Sequence, residues 1–223
     1  MNKLLSIKNL SKVYYNKKEE TEAIKDISFD LYEGEFVSIV GPSGCGKSTL
    51  LNILTNMDTL TKGKIELKDN LKLGYMLQSD SMLSWRKVID NALLGLEIKK
   101  EKTEENINYV KNLFKKYGLA EFMEKHPFEL SGGMRQRVAL IRTLALKPDI
   151  LILDEPFSKL DYQSRLKVSD DVYKMIKNEG KTALMVTHDL AEAISISDRV
   201  IVLSERPCEI KNIYKIKREK EGT

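Results

Sequence analysis

The sequence predicts an α/β fold: a doubly wound, mainly parallel sheet, with an N-terminal antiparallel β subdomain and an inserted α-helical subdomain. Three observations carry this reading. Short apolar runs rich in branched residues alternate with amphipathic helical segments, and over residues 79–147 the period turns wholly helical. The 223 residues suffice to bury a substantial core as one domain. Within it, residues 1–78 and 148–223 form the β-rich core and residues 79–147 the helical subdomain.

In chain order, residues 4–10 and 24–31 flank the charged segment YNKKEETE and read as a hairpin at the edge of the main sheet. Residues 36–40 (FVSIV) are the first core strand, apolar enough to be buried on both faces, and the run LLNIL that follows residue 49 is helical. In the helical stretch, Thr103 with Glu104 and Glu105 starts a helix. Its Ile107, Val110, Phe114 and Tyr117 fall on one face before Gly118. Residues 150–153 (ILIL), 182–186 (TALMV) and 200–203 (VIVL) are three further core strands. Asp161 caps a helix that is expected to bury Tyr162, Leu166, Val172, Tyr173 and Ile176 and to stop at Gly180.

Composition narrows the function. Hydrophobic residues make up 42% and charged residues 31%, with a net charge of +4, which excludes a disordered chain and gives no reason to expect nucleic acid as a partner. The basic run at residues 215–220 (KIKREK) reads as a solvated terminus, with an anionic membrane face or nucleic acid as the other reading. Cys45 and Cys208 form no framework of spacings, which points to a reducing compartment. Lys3 and Lys8 bracket only four uncharged residues, too few for the core of a signal peptide, and no apolar run is long enough to span a bilayer. Work at a membrane would need another subunit to hold the chain there.

The chemistry is carried by glycine-rich and acidic motifs. Gly41, Pro42, Ser43, Gly44, Cys45, Gly46, Lys47, Ser48 and Thr49 satisfy the full P-loop pattern between a strand and a helix. The glycines let backbone N–H groups wrap phosphates, Lys47 reaches the β- and γ-phosphates, and the Ser48 hydroxyl is placed for Mg²⁺. Asp154, at the end of an apolar strand, supplies a carboxylate for the metal. Glu155 follows at once, before Pro156. Because successive strand residues point to opposite sides, Glu155 approaches the γ-phosphate from another direction and is the candidate general base. The stretch LSGGMRQR, residues 130–137, offers a second phosphate seat at the start of a helix, with the Ser131 hydroxyl and the permissive Gly132 and Gly133.

Together the P-loop, Gln78, LSGGMRQR, LILDEP, the turn at Ser158, Lys159, Leu160 and Asp161, and the run at Val186, Thr187, His188 and Asp189 resemble the ATP-binding subunit of ABC transporters. The resemblance spans nearly the whole chain, with the motifs in family order. It implies a P-loop NTPase (RecA-like) core, an ATPase that uses ATP and Mg²⁺, and a homodimer of ATPase subunits. In such a dimer Ser131, Gly132, Gly133, Gln136 and Asp161 of one chain meet the nucleotide held by the P-loop of the other. It also implies integral membrane permease subunits, an indirect extracytoplasmic solute-binding protein, and a place at the cytoplasmic face of the cell membrane. By the same resemblance Gln78 touches Mg²⁺ and the attacking water, and His188 contacts the γ-phosphate. Tyr14 stacks on adenine, with adjacent Tyr15 the alternative, since only one of two successive strand residues can face the base. Lys159 stands where the family usually has alanine. Trp85, Arg86 and the segment VIDNALLGLEI resemble the nitrate, sulfonate and taurine branch of importers, which includes transporters of thiamine-precursor pyrimidines; relatives there commonly have Leu-Pro-Trp where this chain has Leu83, Ser84 and Trp85. Trp85 as a core aromatic is the other reading. Export, or action on nucleic acid or the ribosome, are the alternative functions.

Overall fold

The computed structural model describes residues 2–15 and 20–217. β1 (Lys3–Tyr15) and β2 (Glu20–Tyr32) pair antiparallel, and β4 (Lys62–Leu67) joins the other side of β1, giving a three-stranded sheet of order β2-β1-β4. Register breaks along β1 are filled by short polar residues. Asn9 and Asp26 both adopt positive φ, and Asn9 Nδ2 donates to Asp26 Oδ1 at 2.8 Å.

The second sheet has six strands in the order β5-β6-β7-β3-β8-β9. These are β3 (Phe36–Val40), β5 (Leu73–Met76), β6 (Ile150–Asp154), β7 (Thr182–Thr187), β8 (Arg199–Leu203) and β9 (Ile210–Lys215). All neighbours run parallel except β8 and β9. Alternation along the central strands serves two cores. Phe36, Leu151, Leu153, Ala183 and Met185 face helices α2 (Val88–Ile98), α3 (Glu104–Lys116), α4 (Gly132–Leu144) and α5 (Tyr162–Asn178). Val37, Ile39, Ile152, Leu184 and Val186 face α1 (Lys47–Leu54) and the β1–β2 hairpin. A short α6 (Leu190–Ile196) follows β7.

The structure corrects three expectations. The hairpin is not an edge of the main sheet, whose edges are β5 and β9; it packs face-on, its Ile7, Leu10, Ile24 and Ile27 covering β3 and α1, and a single bridge from Ile24 to Cys208 links it to the segment before β9. Residues 79–147 are not helical throughout: residues 79–87 are irregular, and short 3₁₀ turns occupy Ala120–Phe122 and Pro127–Glu129. In α5, Tyr162 is 68% and Leu166 47% exposed. The buried stripe begins at Val168, six residues after Tyr162, and continues through Val172, Met175 and Ile176; there α4 packs so closely on α5 that a Cβ on Gly133 would lie 2.5 Å from Val168 Cγ2. The caps hold as expected: Thr103 Oγ1 accepts from Asn106 N–H and Asp161 Oδ1 from Ser164 N–H. Of the basic run at 215–220, residues 218–220 lie outside the described residues, as do residues 16–19 of YNKKEETE.

Candidate functional site

The P-loop connects the carboxyl end of β3 to α1, whose first N–H groups have no side-chain cap and so stay available to a phosphate. Gly46 sits at φ 132, and a Cβ there would lie 2.9 Å from Ala23 O, so only glycine lets the loop turn into the helix. Lys47 is buried and donates its Nζ to Gly41 O at 2.7 Å and Pro42 O at 2.8 Å, folding the ammonium back over the loop. Pro42, Ser43, Gly44 and Ser48 are exposed and Thr49 half-buried. Cys45 points into the core under the loop, 2% exposed, so its main chain rather than its thiol belongs to the phosphate seat. A hydrogen bond with Cys208, aided by Lys47, pulls the Cys45 thiol from 9.0 down to about 6, while the same contact pushes Cys208 up.

Three neighbouring parallel strands deliver the remaining groups from their carboxyl ends. Gln78 follows β5, Glu155 follows β6 and His188 follows β7, the edge at which ligands bind in open α/β sheets. They meet at one oxygen: Glu155 Oε2 lies 3.0 Å from His188 Nδ1 and 3.3 Å from Gln78 Nε2, which also reaches Ser158 Oγ at 3.3 Å. Glu155 turns there because its backbone is left-handed, φ 41, with its N–H donating to Val186 O at 2.9 Å. For a non-glycine residue this conformation costs about 1–2 kcal/mol, strain concentrated at the chemical site. Asp154 remains on the strand, where its Oδ2 accepts from Tyr75 O–H at 3.1 Å; burial raises its pKa.

The second seat lies elsewhere. Ser131 caps α4, its Oγ accepting from Met134 N–H at 3.3 Å, and it lines a groove of about 410 Å³ with Gly132, Gly133, Lys159, Asp161 and Lys167. Both glycines are also needed inside the chain, since a Cβ on Gly132 would lie 2.8 Å from Leu160 Cδ2 and one on Gly133 would strike Val168. Hydrogen bonding from Ser164 holds the Asp161 carboxyl below its ordinary value. Lys159 is exposed, so its length disturbs no packing. Neither Ser131 nor Asp161 lines the cavity bounded by Gly41, Pro42 and His188.

Gln136 does not join this groove. It is 3% exposed, and its Oε1 has no partner among the described residues. Five residues past the cap, it is turned about 140° around the helix from Ser131, towards its own core. Tyr14 is partly exposed, with its hydroxyl donating to Asp58 Oδ2 at 2.7 Å and the Lys12 ammonium 4.7 Å from its ring centre; Tyr15 is more exposed. Lys12 also bonds Asp58 at 2.6 Å and, together with Tyr14, draws that carboxyl down to about 2.

Sequence reasoning missed the groups behind these loops. Arg135 Nε donates to Asp80 Oδ2 at 3.1 Å and Arg142 donates to the carbonyls of Asp80 and Ser81, pinning the segment after Gln78 onto α4. Their spacing of seven, two turns of one helix face, was the available signal. Glu192 is 5% exposed; Thr187 Oγ1 donates to its Oε2 at 3.2 Å, and burial pushes its carboxyl from 4.5 up to about 7. A carboxyl raised in this way stabilises the fold fully below its unfolded value and loses that contribution as pH rises through the folded one. Glu192→Gln, which keeps an acceptor for Thr187, is therefore expected to gain thermal midpoint relative to the parent between about pH 5 and pH 8. Parallel melting curves across that range check this; a constant difference would contradict it.

Comparison with known proteins agrees with this geometry. Residues 24–158 match the family described as ABC transporter. The chain is 43% identical over 221 residues to the ABC transporter ATP-binding protein YtlC of Bacillus subtilis (strain 168), covering 96% of this chain and 85% of the relative. It is 40% identical over 207 residues to the taurine import ATP-binding protein TauB of Jannaschia sp. (strain CCS1), covering 90% and 77%. To the nitrate transport protein NasD of Klebsiella oxytoca it is 35% identical over 217 residues, covering 93% and 82%. Among solved structures, a dimeric bacterial ABC transporter cassette superposes with a TM-score of 0.79 at 32% identity, covering 97% of this chain and 100% of that one. A dimeric post-hydrolysis cassette bound to ADP and Pi gives 0.78 at 31%, with the same coverage. With a P-loop, a strained glutamate beside a histidine and a helix-capping SGG seat on a matching fold, this chain belongs to the ABC transporter family as its ATP-hydrolysing cassette.

Proposed function

We propose that two copies of this cassette close on MgATP and drive import of a small anionic or heterocyclic solute, of the nitrate, sulfonate, taurine or thiamine-precursor pyrimidine type. Integral membrane permease subunits hold the cassettes at the cytoplasmic face, and an extracytoplasmic binding protein delivers the solute. The import reading is supported by relatives named for taurine import and nitrate transport. One observation carries the coupling: Trp85 is 73% exposed rather than a core aromatic, just past the segment that Arg135 and Arg142 pin to α4. Arg86 is held beside it by two bonds to Glu97. This surface suits a membrane subunit, and we take residues 79–147 as the unit that moves with it against residues 1–78 and 148–223. Among the described residues no helix is long and apolar enough to cross a membrane.

The residues fit Mg²⁺. Asp154 presents a half-buried carboxyl at the end of β6, Ser48 is exposed at the start of α1, and Gln78 Nε2 is turned to Glu155, leaving its Oε1 as an acceptor. When bound, the ion neutralises phosphate charge. Glu155 accepts the proton of the attacking water, His188 holds that carboxylate and the γ-phosphate in register, and Lys47 trades its loop carbonyls for phosphate oxygens.

The test is transport. In vesicles carrying the cassette with its permease, MgATP on the cassette side is expected to drive uptake of labelled taurine, nitrate or a thiamine-precursor pyrimidine, dependent on binding protein outside. ATP-driven efflux, or uptake indifferent to all of these, would overturn the assignment.

A further inference from the structure

Arg165, on the first turn of α5, holds two loops at once. Its Nη2 donates to the carbonyl of Leu160 at 3.1 Å, in the turn that carries Asp161, and its Nη1 donates to Asp189 Oδ2 at 3.0 Å. Asp189 is itself woven into the turn around His188. Its Oδ1 caps α6 by accepting from Glu192 N–H at 3.1 Å, and its own N–H donates to Thr187 Oγ1 at 3.0 Å. His188 lies between these two anchored residues with its Nδ1 on Glu155. The side chains of Arg165 and Asp189 are 21% and 24% exposed, sheltered enough for the contact to hold one geometry. Nε of Arg165 is buried with no partner among the described residues, which rules out side-on docking to a carboxylate, and the two terminal nitrogens go to different acceptors, spread across two loops.

We propose that Arg165 is a positioning residue that couples the Asp161 turn to His188, so that seating a second copy of this chain on that turn sets the imidazole against Glu155. The inference rests on the assignment of Glu155 and His188 to hydrolysis and of the Asp161 turn to the dimer face. A guanidinium fork suits this role because it fixes distance and direction between a carbonyl and a carboxylate. A lysine in its place has one compact ammonium and can satisfy only one of them at a time.

The experiment measures ATPase kinetics and thermal midpoints of the full chain carrying Arg165→Lys, Arg165→Ala, Asp189→Asn and the Arg165→Ala/Asp189→Asn pair, with Glu155→Gln as control. Loss of alignment is expected to cut kcat by about ten- to a hundred-fold, with KM for ATP within about twofold and the melting midpoint of Arg165→Lys close to the parent. Arg165→Lys is expected to resemble Arg165→Ala, and the double variant to fall no further than the worse single one. In a Glu155→Gln background, ATP-dependent association is expected to survive Arg165→Lys. Parental kcat in Arg165→Lys, losses that multiply in the double variant, or a kcat that falls only as the midpoint falls would each overturn the coupling. If Glu155→Gln turns over normally, the site assignment itself fails; if it is inactive while the Arg165 variants are fully active, only the coupling fails.

Discussion

Glu155→Gln is expected to lower ATP turnover by about two to four powers of ten while leaving nucleotide affinity nearly unchanged, the usual worth of a positioned general base. The change is nearly isosteric, so the amide can keep contact with His188 and Gln78, which now converge on Glu155 Oε2 at 3.0 and 3.3 Å. What it removes is the ability to take a proton. Nucleotide binding falls to other elements: the bare N–H groups at the start of α1 and Lys47, which is held by loop carbonyls rather than by Glu155. Single-turnover hydrolysis together with equilibrium ATP binding separates these contributions. Turnover at the parental rate would reject Glu155 as the base, and loss of binding would mean the carboxylate shapes the nucleotide seat.

The second large effect is expected at Ser131. Aspartate is as good a helix cap as serine, so Ser131→Asp keeps the bond to Met134 N–H and changes stability little. It places a carboxylate where the γ-phosphate held by a second copy must sit if the two chains share each nucleotide. Repulsion there should abolish ATP-dependent dimerisation and cost at least about 10²–10³ in hydrolysis, comparable to losing an oxyanion donor, while each monomer still binds ATP. Light scattering and turnover on the purified variant check this. Normal dimerisation would remove Ser131 from the interface.

How much of the fold and site was legible depends on how local each signal is. The P-loop, the strand runs of β3, β6, β7 and β8 and the Asp161 cap are written in contiguous residues, and the structure has each of these elements. β4 and β9 were missed because they are short, partly exposed strands without a continuous apolar run. Whether the first hairpin extends the main sheet or covers it cannot be read from its pattern, since both use the same alternation; the partner decides. The face of α5 failed for a related reason: Tyr162 and Leu166 fit the helical period but stay exposed, and the helix packs into the core only from Val168 on. Gln136 was grouped with its neighbours by sequence, whereas helical phase turns it inward. Arg165 and Asp189 gained roles only once the 24 residues of separation between them closed, and Glu192 only once its burial was seen.

Ser131 and Asp161 line a different groove from Gly41, Pro42 and His188, and the proposed function has each nucleotide enclosed by two copies. Mixing Lys47→Ala with Ser131→Asp tests this directly. Each variant alone lacks one half of every site, but their heterodimer has one site with both halves intact. In an equal mixture ATP turnover is expected to recover far above that of either component, towards about half the parental rate, because only mixed dimers close on ATP and each holds one good site of two. A mixture no more active than its two components, with heterodimers shown to form, would contradict the shared site.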